Sequence, residues 1–242
     1  MSYKKQSKIT ACLSMAFILL FLFGATYVGT SPIQKGTNST HAPDNIPVNT
    51  KKSDIITQID NPNVDITIDN NAAVELVSTT DNELTVNYGG TLYNVDISNE
   101  NVDLKIHISY IGNYSKYPAA VLYIPMITYG DINIQIEQAT AYFNGVFQNS
   151  RNINANIESS SIFYTIPTGF TGKLNATAPD SYLELRSNDG YKNCDINISN
   201  FASSGNIANG FTKQGNSLIY NNGTQVGVIN IDFEDGGYVI IE

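Results

Sequence analysis

The sequence predicts an all-β protein whose main domain is a β-solenoid, a single-stranded β-helix of stacked rungs, preceded by an N-terminal transmembrane helix. Three observations predict it: many strand formers and polar turn residues, repeated alternation of apolar and polar residues, and an uncharged apolar segment near the N-terminus. The 242 residues include 13 basic and 22 acidic side chains, giving a net charge of −9. No basic stripe exists to bind a phosphate backbone, so we expect no nucleic acid partner.

The apolar segment, residues 9–29, reads ITACLSMAFILLFLFGATYVG and contains no charged residue. As a helix it would be roughly 31 Å long, close to the thickness of the hydrocarbon layer of a bilayer. Lys4, Lys5 and Lys8 precede it, which places residues 1–8 in the cytoplasm and the rest of the chain outside. The following GATYVGTSP fits a cleavage site poorly. We therefore expect a single-pass protein of the cell membrane; a cleaved signal and a secreted protein are the alternative.

The next segment, residues 30–52, contains Pro32, Pro43 and Pro47 and shows no apolar period, which predicts a linker. The folded domain is then residues 53–242. Cys194 is its single cysteine, since the other, Cys12, precedes the linker, so no disulfide can form within the domain. We expect Cys194 to be a small buried apolar side chain.

Strand-like alternation recurs along the predicted domain. The segments are DIITQID, NVDITID, ELTVNY, LYNVDIS, VDLKIHISY and the C-terminal VINIDFEDGGYVIIE. In the last of these, Gly236-Gly237 predicts the turn of a hairpin.

A repeat of 21 residues appears when the sequence is shifted against itself. Because so short a repeat cannot bury its own apolar face, each rung must stack on the next about 4.8 Å away. The superimposed apolar triplets are Ile132-Ile134-Ile136, Ile153-Ala155-Ile157 and Leu174-Ala176-Ala178, and a shift of 20 adds Cys194-Ile196-Ile198. A second strand in each rung aligns Ala141 and Phe143 with Ile162 and Tyr164, then with Leu183 and Leu185.

The polar residues between the apolar ones also align, and they predict two outward columns of amides and hydroxyls. Stacked amides can hydrogen-bond along such a column, so a structural ladder is the first interpretation and ligand binding the second. The predicted columns are Asn133, Asn154, Asn175 and Asp195, and beside them Gln135, Asn156, Thr177 and Asn197.

Three stretches carry a resemblance to a known family: DNPNVDITIDNNAAVELVS, AAVLYIPMITYGDINIQIE and SLIYNNGTQVGVINIDFEDGGYVIIE. With these, residues 55–242 resemble the bacterial putative-adhesin families, the DUF4097-like group of cell-surface β-helix proteins. The rung turns TYGD, NSRN and FTGK depart from the SGD common in that group. The resemblance implies a surface-exposed, non-catalytic β-helix and supplies no catalytic residues.

The sequence offers few candidates for a catalytic or metal-binding site. The sequence contains no phosphate-binding glycine loop, no H-E-x-x-H, no Cys-x-x-Cys and no G-x-S-x-G. His107 alternates with apolar residues on a predicted strand, which favours a solvated position. Glu137 and Glu158 would stack as like charges and could hold a cation or act as a general acid, but Pro179 follows them in the register. We therefore expect no enzyme activity, no cofactor and no metal site.

The expected function is adhesion or envelope binding by a membrane-anchored bacterial surface protein. Tyr142 and Phe163 point outward in the register, one above the other, and are the candidate ligand-binding residues for a cell-wall polymer or a surface protein. A covering loop formed by FASSGNIANGF is the alternative for these two rings. At the level of function the alternatives are a polysaccharide lyase or glycosidase on the same scaffold, and an envelope-stress sensing component acting with a partner.

Overall fold

A computed structural model of the protein describes residues 48–53, 60–89, 92–100, 103–111, 120–148, 150–223 and 227–242. This part of the chain is all-β, with largely parallel sheets, as predicted. Within it no helix is both long enough and apolar enough to cross a membrane. The predicted anchor, residues 9–29, and the predicted strand DIITQID, apart from its last residue, lie outside the described residues.

Sheet A contains nine strands in the described part of the chain. In spatial order they are β1 (Val48–Ser53), β4 (Leu84–Gly89), β7 (Ala120–Pro125), β3 (Ala73–Thr79), β9 (Thr140–Asn144), β11 (Ser161–Ile166), β13 (Tyr182–Ser187), β19 (Tyr238–Ile241) and β15 (Ser203–Ile207). Strand β1 overlaps the last residues of the segment predicted as a linker.

Sheet B contains ten strands over the same described ranges. In spatial order they are β16 (Thr212–Gln214), β17 (Ser217–Tyr220), β14 (Cys194–Ser199), β18 (Gly227–Asp232), β12 (Lys173–Thr177), β10 (Asn152–Glu158), β8 (Asp131–Glu137), β2 (Asn63–Asp69), β6 (Asp103–Tyr110) and β5 (Tyr93–Glu100).

The repeating unit is a rung, one sheet B strand followed along the chain by one sheet A strand. Neighbouring rungs pair in parallel in both sheets, so each strand stacks on a strand of the same type. In spatial order the rungs are β6–β7, β2–β3, β8–β9, β10–β11, β12–β13, β18–β19 and β14–β15. Antiparallel strands flank this stack: β4 and β5 at one end, β17 at the other.

The 21-residue register is confirmed for three successive rungs. Ile153 lies between Ile132 and Leu174 in sheet B, as the shift predicts. In sheet A the same shift correctly pairs β9 with β11 and β11 with β13. Strand β8 is therefore covered on one edge by its later copy β10, and its other edge pairs with β2, the earlier segment NVDITID.

The predicted fourth rung is wrong in its neighbour and in its register. Strand β14, which contains Cys194, pairs with β18, and it is β18 that pairs with β12. Leu174 therefore lies opposite Ile229, and Ile229 opposite Ile196. The C-terminal GVINID has the same alternation as β8, so it can satisfy the edges of β12 and β14 together. Shifting the sequence against itself compares segments that follow one another in the chain. It therefore cannot detect that a C-terminal strand lies between β12 and β14.

The predicted C-terminal hairpin is also wrong, because β18 and β19 belong to different sheets. Gly236 and Gly237 lie at the corner between them, packed against the corner of the preceding rung. A Cβ on Gly237, whose φ is 83°, would lie 2.5 Å from the carbonyl oxygen of Ser181 and 2.3 Å from the Phe233 ring. The glycines are needed for this close stacking of corners rather than for a two-residue turn.

Most corners from sheet B to sheet A use a residue in the left-handed conformation. Gln138, Ser159, Asp180 and Asn200 occupy equivalent corners with φ between 48° and 57°. The left-handed conformation costs free energy for non-glycine residues, so other interactions at these corners must offset that cost. Part of that offset is a serine ladder: Ser160 Oγ accepts the backbone N–H of Ala139 at 3.1 Å, and Ser181 Oγ accepts that of Ser160 at 3.2 Å.

The core lies between the two sheets and consists of the inward-facing residues of every rung. Ile132 and Ile136 face it from sheet B and Ala141 and Phe143 from sheet A, all at most 6% exposed. Full burial of one large aliphatic side chain stabilises a fold by about 1.5–3 kcal/mol. The stack of such residues from successive rungs therefore stabilises the fold more than any single rung could.

The outward face of sheet B carries the two polar columns that the sequence predicts, with corrections at the last rung. We call them the asparagine row and the mixed row. The asparagine row is Asp65, Asn133, Asn154, Asn175, Asn230 and Asn197, and the mixed row is Thr67, Gln135, Asn156, Thr177, Asp232 and Ser199. The prediction had placed Asp195 directly after Asn175. Ladder hydrogen bonds join Asn133 to Asp65 at 2.8 Å, Asn154 to Asn133 at 3.3 Å, Asn230 to Asn175 at 3.2 Å and Thr177 to Asn156 at 3.0 Å.

Substitution of one inward and one outward residue tests this register. Ile153→Asp would bury a carboxylate with no partner, which costs several kcal/mol against a total stability of about 5–15 kcal/mol. Asn154→Asp changes an exposed side chain and removes one weak ladder bond. We expect Ile153→Asp to abolish cooperative thermal unfolding and Asn154→Asp to shift Tm by a few degrees at most. Equal losses of Tm would contradict the register.

The thiol of Cys194 gives a second test of burial. Cys194 is 2% exposed, and its burial, with Asp189 and Asp195 nearby, raises the pKa of the thiol to about 11. In a Cys12→Ser background, we expect Ellman's reagent at pH 8 to label Cys194 only after denaturation, because the native thiol is both covered and protonated. Rapid labelling of the native protein would contradict this position of β14.

Candidate binding surface

The outward face of sheet A brings together the two aromatic residues that the sequence selects. Tyr142 on β9 and Phe163 on β11 are direct partners in the parallel register. Their rings stack with centroids 4.6 Å apart and planes 9° apart. Both side chains are partly exposed, because alternation along the strand places their neighbours in the core.

Two further tyrosines extend this pair, and the sequence did not predict this extension. Tyr182 lies 5.6 Å from Phe163 between ring centroids, and Tyr238 stacks on Tyr182 at 5.8 Å. Glu184 is the register partner of Phe163, and the patch had been expected to end there. The aromatic line instead continues two residues earlier on β13, through a diagonal contact between strands. We call these four residues the aromatic strip.

The four rings of the strip form two stacked pairs. Tyr142 uses one face against Phe163, and Tyr182 uses one against Tyr238, since both pairs are nearly parallel. A partner would meet the exposed parts of these rings together with the phenol hydroxyls of the tyrosines. Such a surface combines apolar area with hydrogen-bonding groups, as tyrosine-rich protein interfaces do.

Burial and neighbouring acidic side chains raise the pKa of two tyrosines of the strip, Tyr142 and Tyr182. Burial, and then Glu75 and Glu184, raise the pKa of Tyr142. Burial also raises the pKa of Tyr182, whose hydroxyl donates a hydrogen bond to Glu184 Oε2 at 3.1 Å. Glu184 is itself buried and pairs with Arg186. The hydroxyls of Tyr142 and Tyr182 therefore stay protonated and can donate hydrogen bonds at neutral pH.

The segment considered as a cover, residues 201–211, does not lie over Tyr142 and Phe163. It contributes β15, which pairs with β19 at the edge of sheet A. Gly205 lies against Tyr238, since a Cβ at this glycine would be 2.4 Å from the tyrosine hydroxyl oxygen. The segment thus borders the far end of the strip.

The stacked carboxylates lie where the register predicts. Glu137 and Glu158 are direct partners on β8 and β10, and both are exposed. In the described ranges no three or more His, Cys, Asp or Glu side chains are grouped so that they could hold a metal ion.

His107 lies on the outward face of sheet B at its junction with β2. The side chain is 44% exposed, and its Nε2 lies 3.0 Å from Asp69 Oδ2. The expected solvated strand position is therefore correct in exposure, but the imidazole also has a carboxylate partner. Thr67 is the register partner of His107 and Ser109 that of Asp69, and the contact between His107 Nε2 and Asp69 Oδ2 joins the neighbouring strands β6 and β2 at the surface.

Comparison with known proteins adds a likeness in fold. The chain matches no protein-family model and none of the curated proteins. Its fold is similar to the crystal structure of a putative cell adhesion protein from Clostridium sporogenes ATCC 15579, with a TM-score of 0.59 and 13% sequence identity over 81% of this chain and 99% of that one. A putative adhesin from Bacteroides fragilis NCTC 9343 aligns over 81% of this chain and 97% of the other at 9% identity, with a TM-score of only 0.31. The first similarity shows a shared all-β fold.

Proposed function

We propose that this protein is a non-catalytic bacterial surface protein whose outer domain binds an envelope component, in the manner of an adhesin. The observation that carries the proposal is the aromatic strip, four partly exposed rings in contact on one sheet face. Exposed apolar patches on monomeric proteins mark interaction sites, and tyrosine is enriched where partners bind. A surface protein or a wall polymer is the partner class that suits an exposed domain.

The composition of the strip favours binding over catalysis. Its polar atoms are tyrosine hydroxyls, and the pKa values of Tyr142 and Tyr182 are raised. The neighbouring carboxylate of Glu184 is already engaged by Tyr182 and Arg186. A general acid or base needs a pKa near the working pH and access to the substrate. The likeness in fold to a protein described as a putative cell adhesion protein is in keeping with this proposal.

We further propose where the protein lies in the cell and a more specific fold class than all-β. Residues 9–29 anchor the protein in the cell membrane, residues 1–8 are cytoplasmic, and residues 30–52 include the linker that holds the domain off the membrane. The stacked rungs form a flattened β-solenoid of the DUF4097-like putative-adhesin group. The parallel register of both sheets supports this assignment, although the rungs do not follow one another in chain order.

Removal of the first two rings tests the binding surface. In full-length protein, Tyr142→Ser with Phe163→Ser should weaken binding to the native cell envelope by about tenfold or more, since interface aromatics often contribute over 1 kcal/mol each. Stability should fall by only about 1–3 kcal/mol, because the rings are partly buried and stacked on each other. Pull-down on purified envelopes and thermal melting measure the two effects.

The matched control is Tyr123→Ser, a partly exposed tyrosine on β7 of the same sheet face that lies outside the strip. It should leave envelope binding unchanged. Unchanged binding in the double variant would refute the proposal, as would a loss of folding that shows the rings to be purely structural.

The proposed topology has its own test. Protease added to intact or wall-stripped cells should remove everything beyond the linker and leave a membrane fragment that contains Lys4, Lys5 and Lys8, because those lysines remain inside. Mass spectrometry of the membrane fraction identifies the fragment. A soluble mature protein beginning near Ser31 would show a cleaved signal instead and would contradict the anchor.

A further inference from the structure

We propose that the outward face of sheet B is a second binding site, for an extended and uncharged glycan carrying N-acetyl groups. The asparagine row and the mixed row enclose a trough of about 1,090 Å³ that crosses the sheet from β5 to β14. The site lies on the opposite sheet from the aromatic strip and shares no residue with it. The inference therefore goes beyond the proposed function and stands on different observations.

The spacing of the trough suits a polymer that lies across the strands. The two rows are two residues apart along each strand, which is about 6.6 Å, and the pattern repeats from strand to strand about every 4.8 Å. That repeat is similar to the length of one sugar unit in an extended glycan. Successive sugars would therefore meet the same pair of polar side chains on each successive strand.

The floor of the trough reaches the backbone between the rows. Ala155 points its side chain toward the core, yet it is partly exposed and lies between Asn154 and Asn156 in the trough. At the corresponding positions on the neighbouring strands are Ile134 and Ala176, which also line the trough. The floor between the polar rows is therefore backbone together with the partly exposed Ala155, a narrow surface that one face of a sugar ring can cover while its polar edges meet the rows.

The middle of the trough retains hydrogen-bonding capacity that the ladders do not use. Over the described residues Gln135 makes no hydrogen bond through its side chain, and no ladder bond joins Asn154 to Asn175. Each carboxamide has two N–H donors and an acceptor oxygen, and a ladder bond uses only part of that set. The N-acetyl amide of a sugar offers the complementary donor and acceptor.

The charge pattern selects an uncharged ligand. Along β8, β10 and β12 the six side chains of the two rows are all uncharged. The charged side chains of the trough lie on either side of these three strands: Asp65 and Asp69 on β2, Lys105 on β6 and Asp96 on β5 toward one end, and Asp232 on β18 toward the other. An anionic chain would gain little from so few cations, and a cationic chain would lie mainly on neutral amides.

Three variants of the full-length protein test the site. Gln135→Ala removes an amide that makes no ladder bond, and Asn154→Ala removes one amide at the centre of the trough. Asn152→Ala is the matched control: it lies on the same strand and face and also donates a ladder bond, to Asp131 at 2.7 Å, but it does not line the trough. Isothermal titration with chito-oligosaccharides of increasing length measures binding, and thermal melting checks the fold.

We expect affinity to rise with oligosaccharide length and to fall by about five- to tenfold for Gln135→Ala and for Asn154→Ala, the effect of one lost neutral hydrogen bond. Asn152→Ala should bind like the unmodified protein. Absence of binding by chito-oligosaccharides overturns the proposal, as does an equal loss in Asn152→Ala. Equal binding of hyaluronan oligosaccharides, which add a carboxylate to each repeat, or of an extended neutral peptide, also overturns it. Because the aromatic strip is intact in all three variants, these results do not depend on the envelope-binding test.

Discussion

The in-register parallel stacking of rungs is the constraint on which the rest of the structure depends. Each rung is too short to bury its own apolar face, so its stability comes from neighbours that place apolar residues above and below the same positions. A one-residue slip of any strand would turn its whole inward row to solvent. Ile132, Ile153, Leu174, Ile229 and Ile196 therefore form one continuous row in the core, although they come from distant parts of the chain.

The same constraint produces the outer surfaces. Because inward rows are aligned, the outward residues between them are aligned as well, and similar side chains stack on one another. On sheet A this brings Tyr142 onto Phe163, and on sheet B it brings Asn154 onto Asn133. Both surfaces are thus extended and repetitive, which suits ligands or partners that are themselves extended.

The sequence predicts the local parts of this arrangement and misses the long-range ones. The 21-residue shift correctly aligns β8, β10 and β12, because those rungs are adjacent in the chain. It fails at β14, because β18 returns from the C-terminus and occupies the place beside β12. Tyr142 and Phe163 follow from alternation alone. Tyr182 could not be predicted, since its contact with Phe163 is diagonal and depends on the ring positions. The trough is lined partly by strands that the 21-residue repeat aligns correctly and partly by strands that it does not. Only its central part, on β8, β10 and β12, could therefore be predicted from the sequence.

The most direct test of the stacking order is a disulfide between β12 and β18, in a background with Cys12→Ser and Cys194→Ala. Asn175 and Asn230 are direct partners on adjacent strands, about 4.8 Å apart, within the Cα separation that a disulfide spans. The pair Asn175 and Asp195, which the simple repeat would align, lies two strands apart at more than about 7 Å, which a disulfide cannot bridge without movement. We expect mild oxidation of native protein to crosslink Asn175→Cys with Asn230→Cys and to leave Asn175→Cys with Asp195→Cys reduced, as peptide mapping would show. Crosslinking of the second pair in place of the first would contradict the insertion of the C-terminal rung.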